Sequence, residues 1–194
     1  MADDNETISK LPPQNLEAEI ALLGALMIDK DAIIRVADII NEEDFYKDAH
    51  GKIYAAMREL FARSEPIDIL SLSNRLEEKK QLEAVGGRSY LAKLSASVAT
   101  ASHVANYANI IQRKATLRRL LRVAAEISED SFQEEDNIDD VLDKAEQKLF
   151  NVSQRYLRNV FLPIDNLLAE AFERIDELHK QSGKLRGVPT GFPA

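Results

Sequence analysis

Five cations, Arg113, Lys114, Arg118, Arg119 and Arg122, fall close together with no acid among them, and from Glu126 to Asp140 eight acids follow with no base. Segregated charge reads first as a solvated helix face. The sharper reading is a docking surface, basic in mid-helix and acidic beyond it, for which Arg118, Arg119, Arg122, Glu134 and Glu135 are the candidate residues. No aromatic interleaves with the basic residues, which speaks against stacking on a nucleic-acid strand. The other chemistry-bearing residues are scattered. His50, His103 and His179 lie far apart with no Asp or Glu at ligand spacing, so each is expected at the surface or at a helix cap, and no metal site is expected. The Gly86-Gly87 pair is a turn, no phosphate-cradling G-x-x-x-x-G-K-[ST] loop occurs, and no Ser or Thr sits in a nucleophile elbow. With no Cys, disulfides and thiolate chemistry are excluded and a reducing cytoplasm is the natural home. On its residues the chain is an interaction module, with no catalytic, cofactor or metal site.

These charges must be positioned by two long helices. The pattern from Val104 to about Ser131 has no Pro or Gly and is roughly 40 Å long at 1.5 Å per residue. Its apolar side changes: Val104, Tyr107, Ala108, Ile111 and Ala115 share one stripe, whereas Leu117, Leu120, Leu121, Ala124 and Ile127 centre about 160° away. Such a helix has two different neighbours. Asn137 can cap the next helix, in which Ile138, Val141, Leu142, Ala145, Leu149, Val152 and Tyr156 hold one stripe. The short connection makes the two antiparallel, a hairpin arm. Val123 and Ala125 widen the apolar arc of the first helix to about 200°, twice what one packing partner uses. A second chain is therefore expected on Leu117, Leu120, Leu121, Val123, Ala124, Ile138, Val141, Leu142, Leu149 and Val152.

The 194 residues carry 45% hydrophobic side chains and a net charge of −8, which argues against gripping nucleic acid as the main task. No apolar run approaches the ~20 residues of a membrane span, so no membrane partner is expected. Few glycines and no β-alternation indicate an all-α fold. Residues 1–14 read as a flexible tail and 15–100 as a globular multi-helix head. Asn15 caps a first helix, apolar nearly all round, in which Gly24 signals close approach of another helix. A second helix is expected from Asp29 or Asp31 to about Ile40. Phe45 and Tyr46 should fold into the core, Asp48 opens a third helix, and Asp68 caps a fourth with Ile69, Leu72 and Leu76 inward. Gly86-Gly87 then turns the chain into a short helix with Tyr90, Leu91 and Leu94. The hairpin occupies 101–156 and a linker 157–164. A separate linker helix, 165–183, carries Leu168, Phe172, Ile175 and Leu178 on its docking face.

Several ordered motifs together resemble the bacterial replicative DNA helicase family, DnaB. They are Leu11-Pro-Pro-Gln-Asn-Leu-Glu-Ala-Glu19 with Leu23-Gly24, Asp44-Phe-Tyr46 with His50, Pro66-Ile-Asp68, Val85-Gly-Gly87 with Tyr90-Leu91, Tyr107-Ala108 with Ile111, and Gly187-Val-Pro-Thr-Gly-Phe192. His103 stands where the family more often has Asn. The resemblance implies the N-terminal collar and linker helix of a hexameric ring helicase, built from dimers, with residues 184–194 leading into a RecA-like motor domain beyond Ala194. It implies primase as a partner, a helicase loader as a further one, and single-stranded DNA through the full-length ring only. ATP and Mg would belong to the motor. Two other classes stand beside it on the residues alone: a free-standing helical adaptor, and a nucleic-acid-binding regulator using the Arg113–Arg122 face.

Overall fold

A computed structural model describes residues 11–98, 100–132, 138–157 and Phe172. The elements are α1 (Leu16–Ile28), 3-10 turns over Lys30–Arg35 and Glu42–Asp44, α2 (Asp48–Ala62), α3 (Ile69–Glu78), α4 (Gly87–Ala96), α5 (Val104–Phe132) and α6 (Ile138–Leu157). Among the described residues there is no strand, and the fold is all-α. No described helix is long and apolar enough to cross a membrane. The chain divides at Asn159, and of the second unit, Val160–Ala194, only Phe172 is described. The expected Asn137 cap, Glu134, Glu135 and the linker-helix residues Leu168, Ile175 and Leu178 all lie outside the described residues.

The head is wrapped around α1. Asn15 starts this helix by accepting the Ala18 N–H through Oδ1 at 2.9 Å. Being apolar nearly all round, α1 can pack against α2, α4 and α5 at once. Leu22, Leu23, Ala25 and Leu26 lose all contact with water, each leucine contributing about 2 kcal/mol of burial. Gly24 is where α4 crosses: a Cβ there would collide with the Leu94 carbonyl and sit 2.8 Å from Val98 Cγ2. Asp68 caps α3 by accepting Ser71 N–H at 2.8 Å. Gly86 and Gly87 enter α4 with φ of 97° and 70°, the left-handed region that glycine reaches without strain.

Three expectations for the head are corrected. Residues 29–40 form no α-helix. The Asp29 carboxylate accepts Asp31 N–H at 3.1 Å and the chain turns in i→i+3 steps, from Ala32 N to Asp29 O and from Val36 N to Ile33 O. Five β-branched residues here (Ile33, Ile34, Val36, Ile39, Ile40) weaken helix preference, while Ile33, Val36 and Ile40 still reach the core. Tyr46 is half-exposed instead of buried, because its ring serves as a platform for Arg118. Ile69 likewise stays exposed at the first turn of α3.

Helix α5 leaves the head without a break. Val104, Ala108, Ile111, Gln112 and Ala115 are buried, and from Leu117 to Phe132 no residue is. The free part is about 24 Å long. Helix α6 runs back beside it: Lys148 reaches Asp130 at 2.6 Å, and Arg155 reaches Glu43 of the head at 2.6 Å.

Candidate interaction surface

The arm has two unlike faces. On α6, Ile138, Leu142, Leu149 and Tyr156 fall within about 40° of one another, and all four are exposed, Ile138 by 68%. On α5, Leu117, Leu120, Leu121 and Ala124 are exposed too, Leu121 by 58%. A single surface leucine needs no explanation, whereas here exposed apolar side chains line up on two adjacent helices. Val123 and Val141 are half-buried at the helix–helix seam. Val152 has to be withdrawn from the expected contact set, because it is buried within its own chain, on the side of α6 that lines the cleft with α5.

The basic cluster is corrected more sharply. Arg118 donates to Pro13 O at 2.8 Å and to Asp44 O at 2.5 Å, and its guanidinium lies 5.7 Å from the Tyr46 ring centroid. Burial pushes its pKa down, yet an arginine stays charged at any physiological pH. Arg119 is ion-paired through Nη2 to the buried carboxylate of Asp44, whose other oxygen accepts Asn41 N–H at 2.8 Å. Both brace the arm against the 3-10 turn Glu42–Asp44, and of the three predicted docking arginines Arg122 is exposed and has no ion pair among the described residues, its charge acting on Glu43 of the same turn.

A polar chain missing from the sequence reading lies inside the head. Glu19 and His50 are 2% and 1% exposed, so His50 is no surface or cap residue. Glu19 accepts Tyr46 N–H at 2.6 Å and His50 Nδ1–H at 2.6 Å. Lys47 Nζ donates to Tyr90 Oη at 3.2 Å, Tyr90 Oη and His50 Nε2 share a hydrogen bond at 2.6 Å, and His50 Nδ1 meets Glu19. This chain satisfies two buried polar side chains and ties α1, α2 and α4 to the turn at Tyr46. One sequence signal was available. Glu19 stands at i−3 and i−4 from Leu22 and Leu23, a lone carboxylate on the face of the core leucines.

The described residues thus form a globular helical head and a hairpin whose own arginines, Arg118 and Arg119, brace it against that head, with an uncovered apolar stripe along the hairpin. The comparisons place it. The model of the DnaB-like helicase N-terminal domain matches residues 11–113, and the chain belongs to that family. It is 42% identical over 183 residues to the replicative DNA helicase DnaB of Geobacillus stearothermophilus and 40% identical over 183 residues to the replicative DNA helicase DnaC of Bacillus subtilis. In both cases the match covers 94% of this chain and 40% of the relative, so the chain spans about two-fifths of their length. Among solved structures, the N-terminal domain of DnaB helicase from Mycobacterium tuberculosis superposes with a TM-score of 0.70 at 34% identity, covering 73% of this chain and 99% of that one. A DnaB-like replicative helicase studied for its interactions with primase matches 92% of this chain and 38% of its own, with a TM-score of 0.67 at 25% identity.

Proposed function

We propose that this chain is the N-terminal collar of a hexameric replicative DNA helicase, in which arms of neighbouring copies pair into dimers that build the ring, and that the collar carries primase while the fork is unwound. The observation that carries this reading is the stripe Leu117, Leu121, Leu142 and Leu149, which nothing in the chain's own described residues covers. The primase part leans on the similarity to a helicase studied with primase. ATP and Mg belong, in this reading, to a motor domain following Ala194, single-stranded DNA meets only the complete ring, and a loader is a further partner. The face carrying Leu168, Phe172, Ile175 and Leu178 docks on a neighbouring motor, and the assembly works in the cytoplasm. A regulator gripping nucleic acid through Arg113–Arg122 is disfavoured, since Arg118 and Arg119 are held by Pro13 and Asp44.

Light scattering on the folded chain at tens of micromolar tests the reading. Dimers or larger assemblies are expected, and Leu121→Asp or Leu149→Asp should dissolve them, because a carboxylate buried in an apolar contact costs several kcal/mol. A folded wild type that stays monomeric at that concentration overturns it.

A further inference from the structure

Away from its apolar stripe the arm carries a notch between α5 and α6, a cavity of about 280 Å3 whose lining includes Arg119, Arg122, Lys148 and Arg155. On α6 the lining residues Lys148, Asn151 and Arg155 lie about 120° round the helix from Ile138, Leu142, Leu149 and Tyr156. A second copy seated on the stripe therefore leaves the notch open.

Charge decides what the notch can hold. Arg119 is paired with Asp44, Arg155 with Glu43 at 2.6 Å, and Lys148 with Asp130 and Glu126 at 2.6 and 3.6 Å. Three of the four cations thus already hold carboxylates, and the one guanidinium left is too little positive charge to draw a polyphosphate or a nucleic-acid strand. What stands open is narrower. Arg122 has no ion pair or hydrogen bond among the described residues, while Arg119 and Arg155 each use only Nη2 and keep further N–H donors. Val123 and Val152 give the same cavity an apolar wall. Glu43 already displays the chemistry recognised here: the hydrogen bond from Arg155, with Arg119 and Arg122 adding their fields, holds its carboxyl below the usual range.

We propose that this notch is a carboxylate-binding site that takes one acidic side chain of a partner polypeptide, its head group on Arg122 between Arg119 and Arg155 and its methylenes against Val123 and Val152, in competition with Glu43. One carboxylate matches one unpaired guanidinium, and guanidinium forks suit carboxylates. The proposal uses the ring reading only in taking the occupant to be a partner other than a second copy.

The probe is a blocked glutamate, N-acetylglutamic acid N-methylamide, titrated into the isotope-labelled chain while arginine side-chain resonances are followed, beside blocked glutamine and inorganic phosphate. Saturable shifts are expected at Arg119, Arg122 and Arg155. Arg122→Ala should weaken binding at least fivefold, and Glu43→Gln, which frees Arg155, should tighten it at least threefold. No saturation, an equal response to blocked glutamine, tighter binding of phosphate, or weaker binding by Glu43→Gln overturns the proposal. Sedimentation of the same samples keeps the two ideas apart: a monomeric chain that still binds blocked glutamate sinks the ring reading alone, and an oligomer indifferent to it sinks the notch alone.

Discussion

Asp44 and Arg119 are separated by 75 positions in the chain and joined by an ion pair at the base of the arm. The same turn reaches the other helix of the hairpin, since Glu43, the preceding residue, pairs with Arg155. Two adjacent carboxylates thus hold both helices of the arm, one from a buried position and one from the surface.

The two pins should differ in strength. Asp44→Ala leaves a largely buried guanidinium without its partner, and removing one member of such a pair costs about 3–5 kcal/mol. Glu43→Gln breaks a bridge between exposed groups and should cost under about 1 kcal/mol. Urea unfolding of both variants measures the difference, and equal effects would mean that burial does not set the strength of this clamp.

The buried polar chain should be costly to interrupt at its acceptor end. Glu19→Leu leaves the Tyr46 N–H and the His50 Nδ1–H without a partner, and unpaired buried donors cost about 1–3 kcal/mol each. Tyr90→Phe removes one hydroxyl from the half-exposed end and should cost about 1 kcal/mol. The same unfolding experiment ranks them, and Glu19→Leu should be the larger loss.

Gly24→Ala should destabilise although alanine is the better helix former by about 1 kcal/mol. The added methyl has no room before the Leu94 carbonyl and Val98 Cγ2, and overpacking of this kind costs about 1–3 kcal/mol. The melting temperature should fall; a rise would show that α1 and α4 separate freely.

Burial pushes the Tyr54 hydroxyl up to about 12 from 10.0. Because the folded value lies above the unfolded one, this contribution is complete below pH 10 and is lost as the pH rises towards 12. The loss amounts to about 2–3 kcal/mol over that window. Tyr54→Phe should flatten this part of the alkaline limb, read from denaturation midpoints against pH. At the acid end, Lys79 and then Arg75 hold Glu59 below 4.5. Its contribution is present above that value and fades as the pH falls through the depressed one, by a small amount because the carboxylate is partly exposed.

What the sequence made legible was local. Asn15 and Asp68 cap helices that begin at the very next residue, and the change of face after Ala115 follows from a period of 3.6. Residues 29–40 misled because apolar residues three and four apart fit successive 3-10 turns as well as an α-helix. The clamp and the polar chain were out of reach for another reason. Glu19 meets His50 across 31 positions and Asp44 meets Arg119 across 75, and no periodicity encodes such a meeting. Thus the arginines were recognised as a cluster while the head partners of Arg118 and Arg119 were not.

Helix α5 has no Pro or Gly from Val104 to Phe132 and no loop where it leaves the head. Sharp bends in helices need such residues or a break in the hydrogen-bond ladder. The arm is therefore a lever whose short end is embedded in the core. A sideways load at its tip becomes a torque on Val104, Ala108 and Ile111, and through them on α1. Whatever grips the arm also pulls on the centre of the head.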